Sequence, residues 1–582
     1  MHKILFSRSM MYELFVAFIV TVIAVLALTA CAPAPTAVPP TAVPAQPTSA
    51  PAPKPTDAPK PTEAPKPTVA PTVAAKPTDA PKPTDAPKPT AAPAAATNFR
   101  IGVGIDVNSL DPIAQNNTTV ANMLSYIVET LVTFDQDGKI IPLLAKSWTT
   151  STDGLEWTFT LQDGAKFHDG TAFNAAAVKA NFDRLLDPDV QAPGAGSYRI
   201  IKSTEAVNAT TVKFTLSKRS MAFLATLTWP ASAIVSPATI AKGSATYKSL
   251  TTPVGTGRYV YKELVKGSNL TVTKNANYWG KKPYYDTVTF RILPEAATRE
   301  SQLLAGQLEM IMLPPASDLA ALEKNPAVKL LVAPSNRVVF IAINTTKKPF
   351  DNPKARQALN YAINKEDIVK SVIFGAATPL DAPMAPSVFG YCKTGPYAYD
   401  PEKAKALLKE AGIAAGTPID FIYPTGRLLQ DAQAGQAIGA YLKQVGLEPQ
   451  MSTMDYPTYI GTVTKPLTET KTVTHMLGWA SSYLDASGSM EVFDSRLQPT
   501  KGFNTAFYTN AKVDELLDQA LSEVDQKKRA DLYCQAQKLV WDDAPWIFLW
   551  YQRFPLVYSA KVKGIGYLPN EMFVTFDAEP AQ

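Results

Sequence analysis

Of the 50 prolines in this 582-residue chain, 20 lie between Pro33 and Pro93. Units such as Lys54-Pro55-Thr56-Asp57-Ala58-Pro59 and Lys82-Pro83-Thr84-Asp85-Ala86-Pro87 recur there. Proline has no backbone N–H to give a helix or an inner strand, and the Lys, Thr, Asp and Ala between the prolines offer little to bury. Extended polyproline II is the state this composition favours. At about 3.1 Å per residue, residues 32–97 reach on the order of 200 Å. The packed part of the chain is therefore expected to begin near Asn98.

Ahead of the prolines, Lys3 and Arg8 precede an apolar run from Leu14 to Leu28, the layout of a secretory signal over residues 1–30. The run is shorter than the roughly 20 residues of a membrane-spanning helix. It ends in Leu28-Thr29-Ala30-Cys31, which resembles the bacterial lipobox, where the signal is cut before the Cys and its thiol carries diacylglycerol. This implies lipidation at Cys31, with residues 31–97 as a disordered stalk holding a head clear of the outer face of the cell membrane. An uncleaved helix is the alternative anchor.

The formal charge of +5 is small for this length and comes without a dense Lys/Arg block, so no nucleic-acid footprint is expected. Three His and three Cys leave no basis for a His-rich metal site or a disulfide-dense scaffold. No Gly-x4-Gly-Lys-Ser/Thr loop and no Gly-x-Ser-x-Gly elbow occurs, so neither ATP hydrolysis nor serine catalysis is expected, and no cofactor.

Within the head, Leu155–Leu161 alternates apolar and polar residues, the period of a half-buried strand. Asp163-Gly164 and Asp169-Gly170 bracket His168, which reads as a solvated hairpin position. Asn174 is placed to cap a helix with Val178, Phe182 and Leu185 on one face, stopped by Asp187-Pro188. Asn352-Pro353 and Asp400-Pro401 are further cap-and-first-turn pairs, the second helix ending at Gly412. Strand-like runs cover 98–107, 211–216, 287–293, 338–343 and 419–423, and His475 lies in another, Val473–Leu477. Mixed strands and helices without a steady βαβ rhythm indicate an α/β protein of discontinuous lobes.

Ordered motifs then carry a resemblance: Ser109–Pro112, Pro142–Trp148, Asp153–Leu161, Lys166–Phe173, Pro253–Gly257, Asn277–Gly280, Pro294-Glu295 with Arg299, Phe350–Pro353, and Tyr399–Ala404. The chain resembles the extracytoplasmic solute-binding proteins of family 5, the peptide/nickel-type receptors of ABC importers. That resemblance implies a two-lobed periplasmic-binding-protein-like α/β fold (type II, cluster C) with an extra inserted domain. Lobe I would combine 98–131, 217–336 and 548–582, the inserted domain 132–216, and lobe II 337–547. It also implies a monomeric receptor that passes a small solute, an oligopeptide by preference, to permease subunits in the membrane.

By the same resemblance the ligand lies between the lobes, near Gly478-Trp479-Ala480-Ser481-Ser482-Tyr483-Leu484-Asp485. Peptide-binding relatives commonly carry an Asp three residues after the Trp, which pairs with the ligand's amino group; here Ser482 stands there. A hydroxyl forgoes a charge-assisted bond worth about 1–3 kcal/mol. Asp485 is then the candidate substitute, and an oligosaccharide or other polar solute the alternative ligand. Tyr456, Trp479, Phe340 and Trp550 are expected as pocket aromatics, and Asn116, Asn117, Thr118 and Asn344 as hydrogen-bonding groups, while Trp279 is assigned to structure. Cys392 and Cys534 both fall in lobe II, and an exported location permits a disulfide between them, two buried thiols being the other possibility. A carboxylate hydrolase needs only two acids in a cleft and is the remote alternative; a sensor or adhesion protein on this scaffold is another.

Overall fold

The computed structural model describes residues 97–581 apart from 116, 244, 245, 247, 249 and 426. The signal, Cys31 and the proline repeats lie outside the described residues, as does Asn116.

The head is mixed α/β. A large sheet contains β1 (Asn98–Val103), while β2 (Val132–Phe134) and β3 (Ile140–Pro142) form a separate hairpin. A four-stranded antiparallel sheet follows, from β4 (Ala145–Thr150), β5 (Glu156–Leu161), β6 (Ile201–Asn208) and β7 (Thr211–Leu216), in the order β4-β5-β7-β6. The remaining strands of the large sheet are β8 (Tyr259–Val265), β9 (Asn269–Lys274), β10 (Thr287–Ile292), β11 (Met310–Met312), β12 (Val328–Ile343), β13 (Ala377–Pro379), β14 (Thr417–Thr425), β15 (Leu447–Asp455), β16 (Thr474–Trp479) and β17 (Trp546–Ser559). Their order is β15-β14-β16-β12-β17-β11-β1-β10-β9-β8, with β13 paired to β17.

The alternation in β5 buries Trp157, Phe159 and Leu161 against the helix Ala175–Leu186, whose Val178, Phe182 and Leu185 close the same core. Asn174 caps that helix by accepting from the Ala177 N–H at 3.0 Å. One apolar core gathers β1, β9 and β10, and others form on the two faces of β12, β14 and β16. Two lobes thus share one sheet. The strands that join them are β12 and β17, antiparallel from Val328↔Ser559 to Ala342↔Trp546. Their ladder is broken between Pro334 and Val338, leaving Ser335, Asn336 and Arg337 without cross-strand partners in it.

The ordered motifs prove to be tie points. Glu129 is buried and accepts from Tyr278 Oη (2.6 Å), Thr256 Oγ1 (2.9 Å) and Trp279 Nε1 (3.1 Å), binding Pro253–Gly257 to Asn277–Gly280. A Cβ on Gly255 would lie 2.1 Å from the Ile127 carbonyl oxygen, so only glycine permits the approach. Asp111 pairs with buried Arg184, fixing the first motif to the Ala175–Leu186 helix. Arg299 donates to the carbonyls of Leu293, Pro294, Met312 and Leu313, and Arg356 to those of Phe350, Asp351 and Asp543. His168 departs from its expected solvated position: its Nε2 is 3.0 Å from the Gly257 carbonyl oxygen, and burial lowers its pKa.

Cys392 and Cys534, 142 residues apart, form a disulfide with their Cα atoms 5.1 Å apart. Closing so long a loop restricts the unfolded chain, so replacing both by Ser is expected to lower the unfolding free energy by about 2–5 kcal/mol. Urea denaturation of the double variant measures this; an unchanged midpoint and slope would contradict it.

Candidate functional site

Strands β14, β15 and β16 run parallel to one another, so their carboxyl ends open on one edge of the lobe, the edge where α/β sheets hold ligands. Thr425 is level with Asp455, and Phe421 with Thr474, which brings Arg427, Tyr456 and Trp479 out just beyond the strand ends. Beside them Val338 pairs with both Trp479 and Tyr551, so the gap in the β12 ladder faces the same edge.

That gap is filled by a buried polar knot. Arg337 grips Glu571 through Nε (2.9 Å) and Nη2 (2.7 Å), and Ser335 Oγ donates to the same carboxylate at 2.8 Å. Burial alone raises the Glu571 carboxyl, but Arg337 and Ser335 outweigh it and hold the group below the ordinary carboxylate range. Asn336 donates from its backbone to Pro569 O (2.9 Å) and from Nδ2 to Ser481 O (2.6 Å). The C-terminal turn around residue 570 is thereby stitched to the strand carrying Trp479.

Trp479 is half-buried. Its Nε1 donates to Gly488 O at 2.9 Å, and its ring lies 5.4 Å from that of Phe503, which is 43% exposed. Ser482 is half-buried, and its hydroxyl has no hydrogen-bond partner among the described residues. Tyr456 lies under the Arg427 guanidinium, 5.3 Å from ring centroid to Cζ. Leu428 would touch a Cβ on Gly478 at 2.8 Å, which places the Arg427 loop against β16. Trp479 and Tyr456 therefore share one rim, and Ser482 follows three residues after Trp479.

The other expected site residues are engaged elsewhere. Asp485 is the main correction. It caps the helix Ala486–Met490 by accepting from Ser487 N (3.0 Å), and it binds Arg529 through Nη1 (2.8 Å) and Nη2 (2.6 Å), both side chains buried. A carboxylate so held cannot stand in for a missing ligand-binding Asp. Asn117 caps the helix Thr118–Leu124 through Thr119 N and Val120 N, and Thr118 is the first residue of that helix. Asn344 holds Thr346 and Thr472 O. Phe340 stacks on Trp546 at 3.3 Å, and Trp550 is buried in the lobe core. In each case an inward strand position or a cap satisfies the side chain before a solute can.

Arg427, Phe503 and the Arg337–Glu571 pair were not among the residues expected from sequence. Arg427 follows a strand-like run and precedes a helix, a position at a strand's carboxyl end that was available as a signal. Its guanidinium is in no ion pair among the described residues, while its backbone N–H donates to Asp431 at 2.8 Å and Glu571 is held by Arg337. The rim thus offers flat aromatic surface, one hydroxyl and one unpaired cation. No group of three or more His, Cys, Asp or Glu among the described residues forms a metal-binding cluster. Its chemistry is recognition.

Two outcomes follow. Breaking a buried pair strands the surviving charge, so Asp485→Ala is expected to cost about 3–5 kcal/mol of stability, measured by chemical denaturation; a loss of affinity at full stability would return Asp485 to the site. His475 donates to or accepts from Thr505 Oγ1 at 2.9 Å, and burial pushes its pKa down to about 3. The unfolded chain takes up that proton near pH 6.5, so the neutral ring stabilises the fold above that pH and the contribution is lost as pH falls from about 6.5 towards 3. His475→Gln is expected to flatten the acid limb of melting temperature against pH, and an unchanged limb would contradict this.

Residues 139–500 match the family model described as bacterial extracellular solute-binding proteins, family 5 middle. Over 488 residues the chain is 37% identical to the glutathione-binding protein GsiB of Pectobacterium atrosepticum, covering 83% of this chain and 94% of that protein. It is 36% identical to GsiB of Escherichia coli strain K12, covering 83% and 95%. Among solved structures, the periplasmic binding protein DppA from Helicobacter pylori in complex with peptide STSA superposes with a TM-score of 0.71 at 28% identity, covering 84% of this chain and 99% of that one. AgaA from A. tumefaciens R10, in complex with agropinic acid, superposes with a TM-score of 0.70 at 26% identity, covering 83% and 99%. The family and the relatives consist of solute-binding proteins rather than enzymes. The chain belongs to the bacterial extracellular solute-binding proteins of family 5, the extracytoplasmic substrate-binding components of ABC importers.

Proposed function

We propose that this protein is a lipid-anchored receptor that captures a short, carboxylate-bearing peptide of the glutathione class between its lobes and delivers it to membrane permease subunits. Lobe I would comprise 98–131, 217–336 and 548–582, and lobe II 337–547, hinged where the β12 ladder is interrupted. Cys31 would carry the lipid and residues 31–97 would be the tether, with the head acting as a monomer. Among the described residues no helix is long and apolar enough to cross a membrane.

The observation that carries the ligand class is the charge of the rim. The Arg427 guanidinium is in no ion pair among the described residues, Glu571 is held by Arg337, Asp431 accepts from the backbone N–H groups of Arg427 and Leu428, and Ser482 is neutral where an acid would hold an ammonium. A guanidinium held over an aromatic ring suits a ligand carboxylate, which it can grip through two parallel N–H bonds. The names of the 36–37% identical relatives, glutathione-binding proteins, agree with that sign. The exposed Phe503 beside Trp479 favours a second reading, an oligosaccharide stacked on the ring faces.

Titration calorimetry of the purified protein with glutathione tests the first reading. Arg427→Ala is expected to weaken binding at least tenfold, as loss of a charge-assisted pair worth about 1.5–3 kcal/mol requires. Ser482→Ala should change affinity by less than threefold. Unaltered affinity in Arg427→Ala, or saturable binding of a neutral oligosaccharide in place of glutathione, would overturn the reading.

A further inference from the structure

A second concavity is lined by Tyr483 and Ser487, in the segment that follows Trp479 and Ser482. It is a crevice of about 590 Å³ between the segments that follow the helix Ala175–Leu186 and the lobe carrying residue 479, and neither Trp479, Ser482 nor Phe503 lines it. Its two walls differ in charge. One side presents Arg199 and Lys218, neither in an ion pair among the described residues. The other presents Glu491, Asp494 and Asp518, with the hydroxyls of Tyr483 and Ser487.

The acids are not equivalent. Arg496 holds both Asp494 at 2.6 Å and Asp518 at 2.7 Å, so these two share one guanidinium. The Glu491 carboxylate makes no hydrogen bond or ion pair among the described residues, although the side chain is half-buried. An unpaired carboxylate facing a crevice is costly unless it gains a proton or a cation. The flank of the crevice is closed by Met221 N donating to Leu521 O at 3.1 Å and Arg219 Nη1 to Ser522 O at 3.3 Å, which fixes the spacing of the walls.

We propose that this crevice is a second solute site, for an amino-acid-sized zwitterion whose ammonium seats on Glu491 and whose carboxylate faces Arg199 and Lys218. The volume falls in the range of small-molecule sites, and the charges stand on opposite walls, as such a solute requires. Proton competition gives the site a signature. Burial first, and then Asp494, pushes the Glu491 carboxyl up to about 7. Tyr483, Tyr533, Asp494, Asp518, Arg496, Lys218 and Arg199 are the other titratable groups that face this space. Only the ionised carboxylate binds an ammonium, so affinity should rise as pH rises through about 7.

The test is titration of the full chain with 5-aminopentanoate, with pentanoate and pentylamine as single-charge probes. Saturable binding of 5-aminopentanoate, stronger than either probe, is expected. It should weaken at least tenfold in Glu491→Gln and in the surface double variant Arg199→Ala/Lys218→Ala, and stay unchanged in Arg427→Ala. Between pH 6 and 8 the wild-type affinity should rise, and that of Glu491→Gln should stay flat. No saturable binding, equal binding of pentylamine, or a wild-type affinity independent of pH would overturn the proposal. Glutathione titrated into the same samples separates this site from the one at Arg427, since either can fail alone.

Discussion

The antiparallel pairing of β12 with β17 is the constraint on which the rest of the molecule depends. These two strands run antiparallel from Val328↔Ser559 to Ala342↔Trp546, and the longest break in their ladder is at Ser335–Arg337, with a one-residue shift at Val339/Phe340. An interruption in a central ladder leaves backbone donors and acceptors that must be met in another way. Here Ser335, Arg337 and Glu571 meet that need, and Asn336 ties the strand to Pro569 and Ser481. The same residues therefore join the lobes and border the candidate site. A small change in the angle between the strands at that point would move the rim at Trp479 relative to the turn at Glu571, which is the motion a two-lobed receptor needs.

Which charges are already neutralised decides what the rim can recognise. Asp485 stands six residues from Trp479, yet its carboxylate is turned inward to Arg529, 44 residues later. Glu571 is likewise held by Arg337. With both acids engaged, the guanidinium of Arg427 over Tyr456 sets the local sign. The site is thus read by subtraction: groups that complete the fold are removed, and the remainder are an aromatic face, a hydroxyl and a cation.

Much of the fold was legible in the sequence because its signals are local. The alternation of β5, the Asn174 cap and the proline-initiated helices at 353 and 401 each depend on residues within one or two turns. The ordered motifs were legible as family marks, and the structure gives their physical basis in Glu129, Arg184, Arg299 and Arg356, each of which ties distant segments together. The site was less legible. Trp479 and Tyr456 lie at neighbouring strand ends, but Phe340 and Trp550 are core, Asn117 is a cap, and Asp485 is half of a buried pair. Side-chain direction and a partner 44 residues away are not encoded in a motif's spacing. Arg427 is marked in sequence only by its place after a strand-like run, and strand order is what brings its loop against β16.

The central claim is that this receptor reads a carboxylate through Arg427. Comparing the affinity of glutathione with that of its diethyl ester, on the same purified protein at one ionic strength, tests it most directly. The ester keeps the peptide backbone and the amino group, removes both negative charges and adds only two ethyl groups. The account predicts that the free acid binds at least tenfold more tightly, with the difference abolished in Arg427→Ala; equal affinity for acid and ester in the unaltered protein would contradict it.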